Sequence, residues 1–456
     1  MTKEELVKEA AVRFVDADEV LSCLETTERG KVKNTLANCI TIFQYDPILS
    51  KAISFNLLDQ REYVTRPLGW DRRNSGLALN DNDFDNICYY FEVAYGITSD
   101  KNIARAMHIV ANENSYHPIQ NYLNGLNWDG VERIRYALHH FLGADTSDYT
   151  YEVLKLFMLG AVSRVFSPGI KFDYILCLVG EQGTGKSSFL RLLAVRDEWF
   201  SDDLKDLESD KVYQKLQGHW IHELSEMLAT NSARSNEAIK SFLSRQKETF
   251  RTPYEKYPKD RPRQCVFAGT TNKEHFLPND RSGNRRFLPV LCHRNDAETF
   301  ILDDETSSRE YIDQMWAEMM TIYKSCRPSL SLPSEYQKIL EERQICFLQE
   351  DVDAGVILSF MQDTDKKLVC SIMLYKEALG NDFTKPKRWE TNEICDIVNQ
   401  LIASGKLNGW KRFDSPKRFF EYGTQKGWER VSLPKNKQLD PEEFTVIEDN
   451  PDCPFN

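Results

Sequence analysis

One glycine-rich segment, GEQGTGKS at residues 180–187, constrains the fold of this chain more than any other feature. It matches G-x-x-x-x-G-K-[ST] at every fixed position, and an apolar run of strand formers, residues 174–179, precedes it. Glycines there let backbone N–H groups turn inward around a phosphate, which a Cβ would obstruct. Residues 188–193 have a helical pattern, so a helix N-terminus would face the phosphates. The sequence therefore predicts an α/β fold of the P-loop NTPase type; a chance glycine-rich turn is the alternative, which the flanking patterns disfavour.

The same segment contains the residues that are expected to bind nucleotide. Lys186 is expected to reach the β- and γ-phosphates of ATP, and Ser187 to supply a hydroxyl to Mg²⁺. ATP and Mg²⁺ are therefore the expected cofactors. The predicted nucleotide contacts are Gly180, Gln182, Gly183, Thr184, Gly185, Lys186, Ser187 and Ser188.

Length and composition bound the other possibilities. A chain of 456 residues is too long for one small core, so several domains are expected. The net charge of −12 argues against a protein that coats nucleic acid over its whole surface, but it does not exclude local basic surfaces. Eleven cysteines without a C-x-x-C pair argue against structural zinc. With no N-terminal apolar segment and no run of about eighteen apolar residues, we expect a cytoplasmic protein without a membrane partner.

The region before the glycine-rich segment predicts a mostly helical N-terminal domain, residues 1–143. Helical periodicity covers residues 18–25, 31–43, 83–95 and 101–112, whereas residues 52–81 are irregular. Two further helices are predicted at 135–142 and 149–165, and Ser167-Pro168-Gly169 ends the second. A P-loop ATPase domain is expected over residues 144–350.

A second candidate for catalytic chemistry is WIHELSE at residues 220–226. Apolar residues that lead to a carboxylate at a strand end are what a Walker B element needs, because one acid holds the Mg²⁺ water shell and another polarises the attacking water. We assign the metal to Glu223 and the base to Glu226. The alternative places Glu226 at the solvated start of a helix, and the three-residue spacing leaves the base assignment open.

Residues 250–263 are basic and rich in tyrosine and proline. The window FRTPYEKYPKDRPR holds five basic and two acidic residues, and its prolines oppose a helix, so a loop or hairpin is predicted. Cations interleaved with aromatic rings suit a single strand of nucleic acid, whose phosphates are charged and whose bases stack. The predicted DNA contacts are Lys256, Lys259 and Arg261. A solvated loop without a ligand is the alternative.

Two more sites of polar residues adjoin predicted strands. Asn272 follows a buried-strand pattern, where its amide can contact the γ-phosphate or the attacking water, the role called sensor 1. Arg285 and Arg286 come just before another strand pattern, and a guanidinium there can stabilise transition-state charge as an arginine finger. The sequence does not distinguish the two arginines.

Together these segments resemble the virulence-associated protein E family. GEQGTGKSS, HWIHELSE, RTPYEKYP, TTN and NRRFLPV occur in the family's order and approximate spacing, and YHPIQNYLNGLNWDG and PGIKFDY extend the resemblance to roughly residues 30–320. The resemblance implies an AAA+-like P-loop ATPase related to superfamily 3 helicases, in a replication protein of a phage, plasmid or genomic island. It also implies a ring on DNA, expected to be a homo-hexamer, with host replication proteins as further partners. Residues 1–140 contain no acidic primase motif, so primers would come from another protein.

The last third of the chain changes character. Residues 354–361, 371–379 and 391–404 predict short helices, and 410–413, 418–422 and 427–432 predict short strands, the order of a winged-helix domain, placed at residues 351–438. Residues 381–430 carry ten basic and seven acidic side chains, which favours duplex DNA contact through Lys411 and Arg412. A winged helix that binds protein is the alternative. The acidic tail, residues 439–456, predicts disorder.

The function that best accommodates these features is a DNA-dependent ATPase and 3′-to-5′ helicase, with the direction taken from the superfamily resemblance. One rival is a DNA-binding initiator or interference factor in which ATP controls assembly without unwinding. Another is a P-loop signalling ATPase that acts on proteins, which the basic window and the C-terminal charge disfavour.

Overall fold

The computed structural model describes residues 17–70, 76–204, 207, 212–225, 233–250, 258–277, 284–326, 329–348 and 352–431. By the density of its internal contacts the chain divides into two compact units, residues 1–349 and 350–456. Among the described residues, no helix combines the length and apolar character needed to cross a membrane.

The first unit begins with helices around a small sheet. Its elements are α1 (Ala17–Cys23), α2 (Leu36–Tyr45), β1 (Ile53–Asn56), β2 (Arg61–Val64), β3 (Leu77–Ala78), α3 (Asp81–Tyr95) and α4 (Asp100–Glu113). The antiparallel sheet β1-β2-β3 occupies the region that the sequence pattern left irregular, because its strands have only two to four residues, too few to show alternation. Asn80 and Asp83 form a capping box that fixes the start of α3.

Three helices lead from this region to the central sheet. They are α5 (Pro118–Gly125), α6 (Ile134–Leu142) and α7 (Asp148–Phe166). Ser147 caps α7 by accepting a hydrogen bond from the Thr150 N–H. Most of α7 is buried, because it packs against both the central sheet and the helices around it. This explains why its sequence is apolar on all sides rather than along one stripe.

The central sheet has five parallel strands in the order β10-β4-β9-β6-β5. They are β4 (Ile175–Val179), β5 (Phe200–Ser201), β6 (Ile221–Ser225), β9 (Val266–Thr271) and β10 (Phe287–Leu291). Every residue of β4 and β9 is buried, as expected for a parallel sheet covered on both faces. This mixed α/β architecture with a P-loop-like core confirms the predicted fold class at that level. The finer AAA+-like assignment stays a prediction.

Helices and one hairpin complete the first unit. The helices are α8 (Lys186–Leu193), α9 (Val212–Lys215), α10 (Ala233–Ser244), α11 (Glu305–Cys326) and α12 (Ser334–Cys346). The hairpin pairs β7 (Lys247–Phe250) with β8 (Lys259–Pro262) in an antiparallel register. The predicted hairpin form of the basic window is therefore confirmed for the residues described. Residues 251–257 lie outside them.

The Trp-Asp-Gly turn has a structural role at α11. Gln314 accepts a hydrogen bond from the Asp129 N–H at 3.0 Å, and the buried Glu318 carboxylate accepts from the N–H groups of Arg133 and Ile134 at 2.7 and 3.0 Å. Those two N–H groups begin α6 and have no partner within the helix, so the carboxylate also neutralises part of the positive end of its dipole. The turn therefore anchors the start of α6 to α11.

The second unit contains helices followed by short strands. They are α13 (Val352–Asp363), β11 (Leu368–Cys370), α14 (Ser371–Met373) with a π-helical continuation to Ala378, α15 (Arg388–Ala403), β12 (Trp410–Arg412), β13 (Lys417–Phe419), β14 (Gly423–Gln425) and β15 (Gly427–Arg430). The strands form a β11-β15-β12 sheet and a β13-β14 hairpin. Three helical segments and a terminal group of strands agree with the pattern read from the sequence. The winged-helix assignment and the boundaries of all four predicted domains stay predictions, and the acidic tail lies outside the described residues.

Candidate functional site

The glycine-rich segment joins the carboxyl end of β4 to the amino end of α8. Gly185 takes a left-handed conformation with φ of 95° immediately before the helix. At Gly180 a Cβ would lie 2.3 Å from the backbone oxygen of Cys292, so any side chain there would collide with the segment that follows β10. These two glycines are therefore required by backbone conformation and by close approach, respectively. The helix N-terminus points its free N–H groups at the space that the loop encloses.

Lys186 lies across this loop. Its Nζ donates hydrogen bonds to the backbone oxygens of Gly180 and Glu181, each at 2.7 Å. Burial lowers the pKa of this lysine from its usual value, and the nearby Glu223 and Glu181 carboxylates act in the opposite direction. The ammonium group is thus held beside the loop by carbonyl oxygens, which a stronger anionic acceptor such as a phosphate can replace.

Glu223 lies opposite the start of α8, on β6. Its side chain is 1% exposed, and its Oε1 accepts a hydrogen bond from the Ser187 hydroxyl at 2.7 Å. The Thr270 hydroxyl on β9 donates to the same oxygen. The structure therefore brings together the two residues that the sequence assigned to the metal, Ser187 and Glu223. It adds Thr270, a second hydroxyl that fixes the carboxylate.

Strand order explains why these residues meet. Strand β9 lies between β4 and β6, and all three are parallel, so their carboxyl ends form one edge of the sheet. A cavity of about 720 Å³ opens at this edge. Its lining comprises Gln182, Gly183, Thr184, Gly185, Lys186, Ser187, Ser188, Ser225, Thr270, Thr271, Asn272, Lys273 and Phe300. Asn272 therefore lies where the sequence placed sensor 1, at a site of the size of ordinary ligand pockets.

Five of the lining residues were not identified from the sequence: Ser225, Thr270, Thr271, Lys273 and Phe300. The TTN segment after a predicted strand carried a signal for Thr270, since hydroxyls at a strand end beside a phosphate loop can hold a carboxylate. Phe300 carried no such signal. It lies in the segment after β10, and its ring comes within 3.0 Å of the position that a Cβ on Gly185 would occupy.

Several predicted site residues lie away from this cavity or outside the described residues. Glu226 and Lys256 belong to the latter group, so the base assignment and one DNA contact stay predictions. Arg285 and Arg286 precede β10 and therefore lie at the amino edge of the sheet, opposite the cavity. Arg286 forms an ion pair with Asp173 at 3.2 Å, whereas the Arg285 side chain is 70% exposed and only 4.0 Å from the same carboxylate.

The described cations of the hairpin contact the N-terminal part of the chain or the hairpin itself. Lys259 Nζ donates to Gln60 Oε1 at 2.8 Å. The Arg261 guanidinium is largely buried and lies 4.7 Å from the centre of the Phe250 ring. In the second unit, Lys411 and Arg412 are both exposed on β12. The predicted DNA contacts that the structure describes, Lys259, Arg261, Lys411 and Arg412, do not line the cavity at the carboxyl edge.

Comparison with known proteins identifies the central domain. The virulence-associated protein E-like domain matches residues 123–349, which confirms the resemblance read from the motifs. Three solved structures of the C-terminal region of NrS-1, two of them described as A-form apo structures, align with 85–88% of this chain and 98–100% of theirs. Their sequence identity is 13–14% and their TM-scores are 0.45–0.46. No curated protein matches the chain.

Proposed function

From the premise that this chain carries a virulence-associated protein E-like domain, we propose that it is an Mg²⁺-dependent ATPase that acts on DNA in the replication of a phage, plasmid or genomic island. One observation carries the proposal: the Ser187 hydroxyl and the buried Glu223 carboxylate meet at 2.7 Å beside Lys186, at the mouth of a phosphate loop. An anchoring hydroxyl, an acid and a lysine are the groups that phosphoryl transfer from a nucleoside triphosphate needs.

The donor set fits Mg²⁺ rather than a metal held by protein alone. Mg²⁺ prefers oxygen ligands, retains several waters, and in such sites takes one or two protein oxygens with the rest from phosphates. Ser187 and Glu223 offer those oxygens, and no cluster of three or more His, Cys, Asp or Glu side chains suited to a metal occurs among the described residues. When bound, the ion would polarise the phosphate oxygens and offset their charge. Thr270 would keep the Glu223 carboxylate oriented.

The other residues at this edge have complementary roles in the proposal. The backbone N–H groups from Gly183 to Ser187 would contact the phosphates, and Lys186 would exchange its two carbonyl acceptors for phosphate oxygens. Asn272 lines the same cavity and would orient the attacking water or the γ-phosphate. Glu226 remains the proposed base that polarises this water.

We extend the proposal to a ring-shaped 3′-to-5′ helicase, a homo-hexamer, in which a neighbouring subunit completes each ATP site. Within one subunit the amino edge of the sheet cannot reach its own phosphate loop, because five residues of extended strand separate them by roughly 16 Å. Arg285 is exposed at that edge. It is therefore the better candidate for a finger that crosses to a neighbour, while Arg286 holds Asp173. The hairpin cations and the exposed Lys411 and Arg412 would supply contacts to single-stranded and duplex DNA.

For the second unit we propose a winged-helix domain that binds duplex DNA. Helix α15 has a polar face opposite its buried Ile394, Ile397, Val398 and Leu401, and β12 exposes Lys411 and Arg412. A helix and a wing suit double-stranded grooves. Removing residues 351–456 should abolish preference for an origin duplex while ATPase activity remains. Unchanged duplex binding after the deletion would refute this assignment.

A second candidate function is an initiator or interference factor in which ATP controls assembly without unwinding. The contact between Lys259 and Gln60 favours it, because this hairpin cation is held by another part of the same chain. A forked-duplex assay with and without ATP separates the two functions. The helicase proposal expects strand separation that requires ATP, whereas the alternative expects DNA binding and ATP-dependent assembly without separated strands.

ATP hydrolysis by the purified full chain, with and without single-stranded DNA, tests the broader proposal. We expect Mg²⁺-dependent hydrolysis that single-stranded DNA stimulates. Hydrolysis that DNA does not change, together with no DNA binding, would instead support the P-loop ATPase that acts on proteins. No hydrolysis under any of these conditions would contradict the ATPase proposal itself.

A further inference from the structure

A second cavity, of about 410 Å³, lies at the amino edge of the central sheet. His219 and Gln264, which lie two residues before the strands β6 and β9, line it, so it opens at the edge opposite the phosphate loop. Its other walls come from the β7-β8 hairpin and from the N-terminal sheet. We call it the hairpin-root pocket and define it by Phe55, Gln60, Tyr213, Phe250, Lys259 and Arg261.

Aromatic rings form two walls of this pocket. The rings of Tyr213 and Phe250 stack with their centres 6.3 Å apart and an angle of 29° between their planes. Phe55, on β1, faces the pocket from the N-terminal sheet. Each of the two phenylalanines has a cation beside it: Lys259 Nζ is 5.9 Å from the Phe55 ring centre, and the Arg261 guanidinium is 4.7 Å from that of Phe250. Each phenylalanine ring of the lining therefore has an adjoining cation.

The charges in the lining leave an excess of cations. Lys259, Arg261 and Arg263 face two carboxylates, Glu248 and Asp260. Glu248 is engaged by Arg263, whose Nε donates to it at 2.7 Å. Asp260 is paired with a lysine outside the lining and accepts from the Thr249 hydroxyl at 2.6 Å. The acids are thus neutralised within the hairpin, whereas Lys259 donates to an uncharged amide, that of Gln60.

Uncharged polar groups complete the lining. His117 Nε2 and Gln264 Oε1 lie 2.6 Å apart, and burial lowers the pKa of His117, so the imidazole is neutral and donates to the amide. Gln264 Nε2 in turn donates to the Leu57 oxygen at 3.0 Å. This chain of hydrogen bonds joins the start of α5, the segment between β8 and β9, and the residue that follows β1, so these walls of the pocket are held together by the fold.

We propose that the hairpin-root pocket binds a nucleoside phosphate, with the base stacked against the aromatic rings and the phosphate beside Lys259 and Arg261. Stacked rings with adjoining cations are the combination that holds single nucleotides without reading their sequence. The pocket is large enough for such a unit and lies away from the ATP site. The ligand is either one nucleotide of a single DNA strand, which rests on the proposed function, or a free nucleotide.

The test maps the contact on the full chain. Wild type is bound to a thymidine oligonucleotide with one 5-iododeoxyuridine, irradiated and digested, and the crosslinked peptide is identified by mass spectrometry. We expect crosslinks to a peptide that contains Tyr213 or Phe250. Phe250→Leu should weaken oligonucleotide binding by about tenfold, the typical loss when one stacked aromatic is removed. Tyr136→Leu removes an exposed aromatic side chain outside the lining and should leave binding unchanged.

The second arm uses free dTMP, whose binding is measured by calorimetry on wild type and Phe250→Leu. If wild type binds dTMP but no oligonucleotide, and Phe250→Leu weakens dTMP binding, the pocket is a free-nucleotide site and the proposed DNA function fails. If crosslinks form only to other peptides, and wild type and Phe250→Leu bind the oligonucleotide with equal affinity, the pocket is not the binding site. This conclusion holds even if DNA still stimulates the ATPase activity. If Phe250→Leu lowers the Tm, Lys259→Ala is used in its place, because Lys259 is exposed and its loss should disturb the fold less. No binding of either probe by wild type overturns the inference.

Discussion

The two edges of the central sheet are built in opposite ways. At the carboxyl edge, Lys186, Ser187, Glu223 and Thr270 contact one another or the loop backbone around an open cavity. At the amino edge, cations already contact distant parts of the chain, as Lys259 does with Gln60. A lysine therefore has a different role at each edge. Lys186 is held by loop carbonyl oxygens that a ligand can replace, whereas Lys259 joins two segments and so also stabilises the fold.

This comparison predicts how substitutions divide. Changes at the carboxyl edge should reduce catalysis and leave the free energy of unfolding nearly unchanged. Changes at the amino edge should affect stability, DNA binding or communication between subunits.

The largest effect expected at the amino edge comes from Arg285, which in the proposed ring contributes to ATP hydrolysis at the site of a neighbouring subunit. Because a finger arginine stabilises transition-state charge, Arg285→Ala should reduce ATPase activity by about 10³-fold or more. Mixing this variant with Lys186→Ala should restore activity, since some interfaces then combine an intact loop with an intact finger. Arg286→Ala is the matched control, and it should lower Tm because Asp173 loses its partner. Failure to recover activity at any mixing ratio, with rings confirmed, would place both arginines in structural roles.

Thr270→Val tests the role of the second hydroxyl at the carboxyl edge. Valine keeps the shape but removes the hydroxyl that orients Glu223, so the apparent affinity for Mg²⁺ in ATPase assays should fall by about 10- to 100-fold. Thr41→Val, which removes a hydroxyl that contacts its own helix, should have no effect. An unchanged Mg²⁺ dependence in Thr270→Val would show that the carboxylate needs no second hydroxyl.

Lys259→Ala tests whether a cation that contacts Gln60 also contacts DNA. If it binds a phosphate, the slope of log affinity against log salt for single-stranded DNA should fall in magnitude by roughly 0.7 per subunit. The loss should be similar for every sequence. Lys338→Ala, at an exposed lysine on α12, serves as the control. An identical salt slope would mean that Lys259 only joins the hairpin to the N-terminal sheet.

The smallest expected effect is the pH dependence of stability. Burial lowers the pKa values of His117, His219 and His222, all near the amino edge. The unfolded chain therefore binds more protons, and the stability that these neutral histidines allow is present above about pH 6.5 and declines as the pH falls below it. His108 beside Glu62 has a raised pKa and opposes this, but its side chain is largely exposed. Tm should fall as the pH is lowered from 7 to 5, and His222→Phe should reduce this fall. The same dependence of Tm on pH in His222→Phe and wild type would contradict the role of His222.

The sequence predicts the residues of the carboxyl edge better than the contacts of the amino edge. The phosphate loop and the Glu223 strand are short local patterns, and the loop, Ser187, Glu223 and Asn272 lie where those patterns placed them. The TTN pattern placed Thr270 at a strand end, but its contact with Glu223 depends on β9 lying beside β6, and a local pattern does not predict that strand order. The pairing of His117 with Gln264 spans 147 residues, so the hairpin-root pocket becomes visible only in the fold.

In the proposed function, the site at the carboxyl edge of the sheet binds and hydrolyses Mg²⁺-ATP, and Lys186 is required for hydrolysis. The most direct measurement is steady-state ATP hydrolysis by Lys186→Ala and by the Lys338→Ala control, with Tm recorded without nucleotide. We predict that hydrolysis by Lys186→Ala is abolished while its Tm is nearly unchanged, because among the described residues the hydrogen bonds of this lysine go to two backbone oxygens of the loop. Hydrolysis by Lys186→Ala at the wild-type rate would contradict the account.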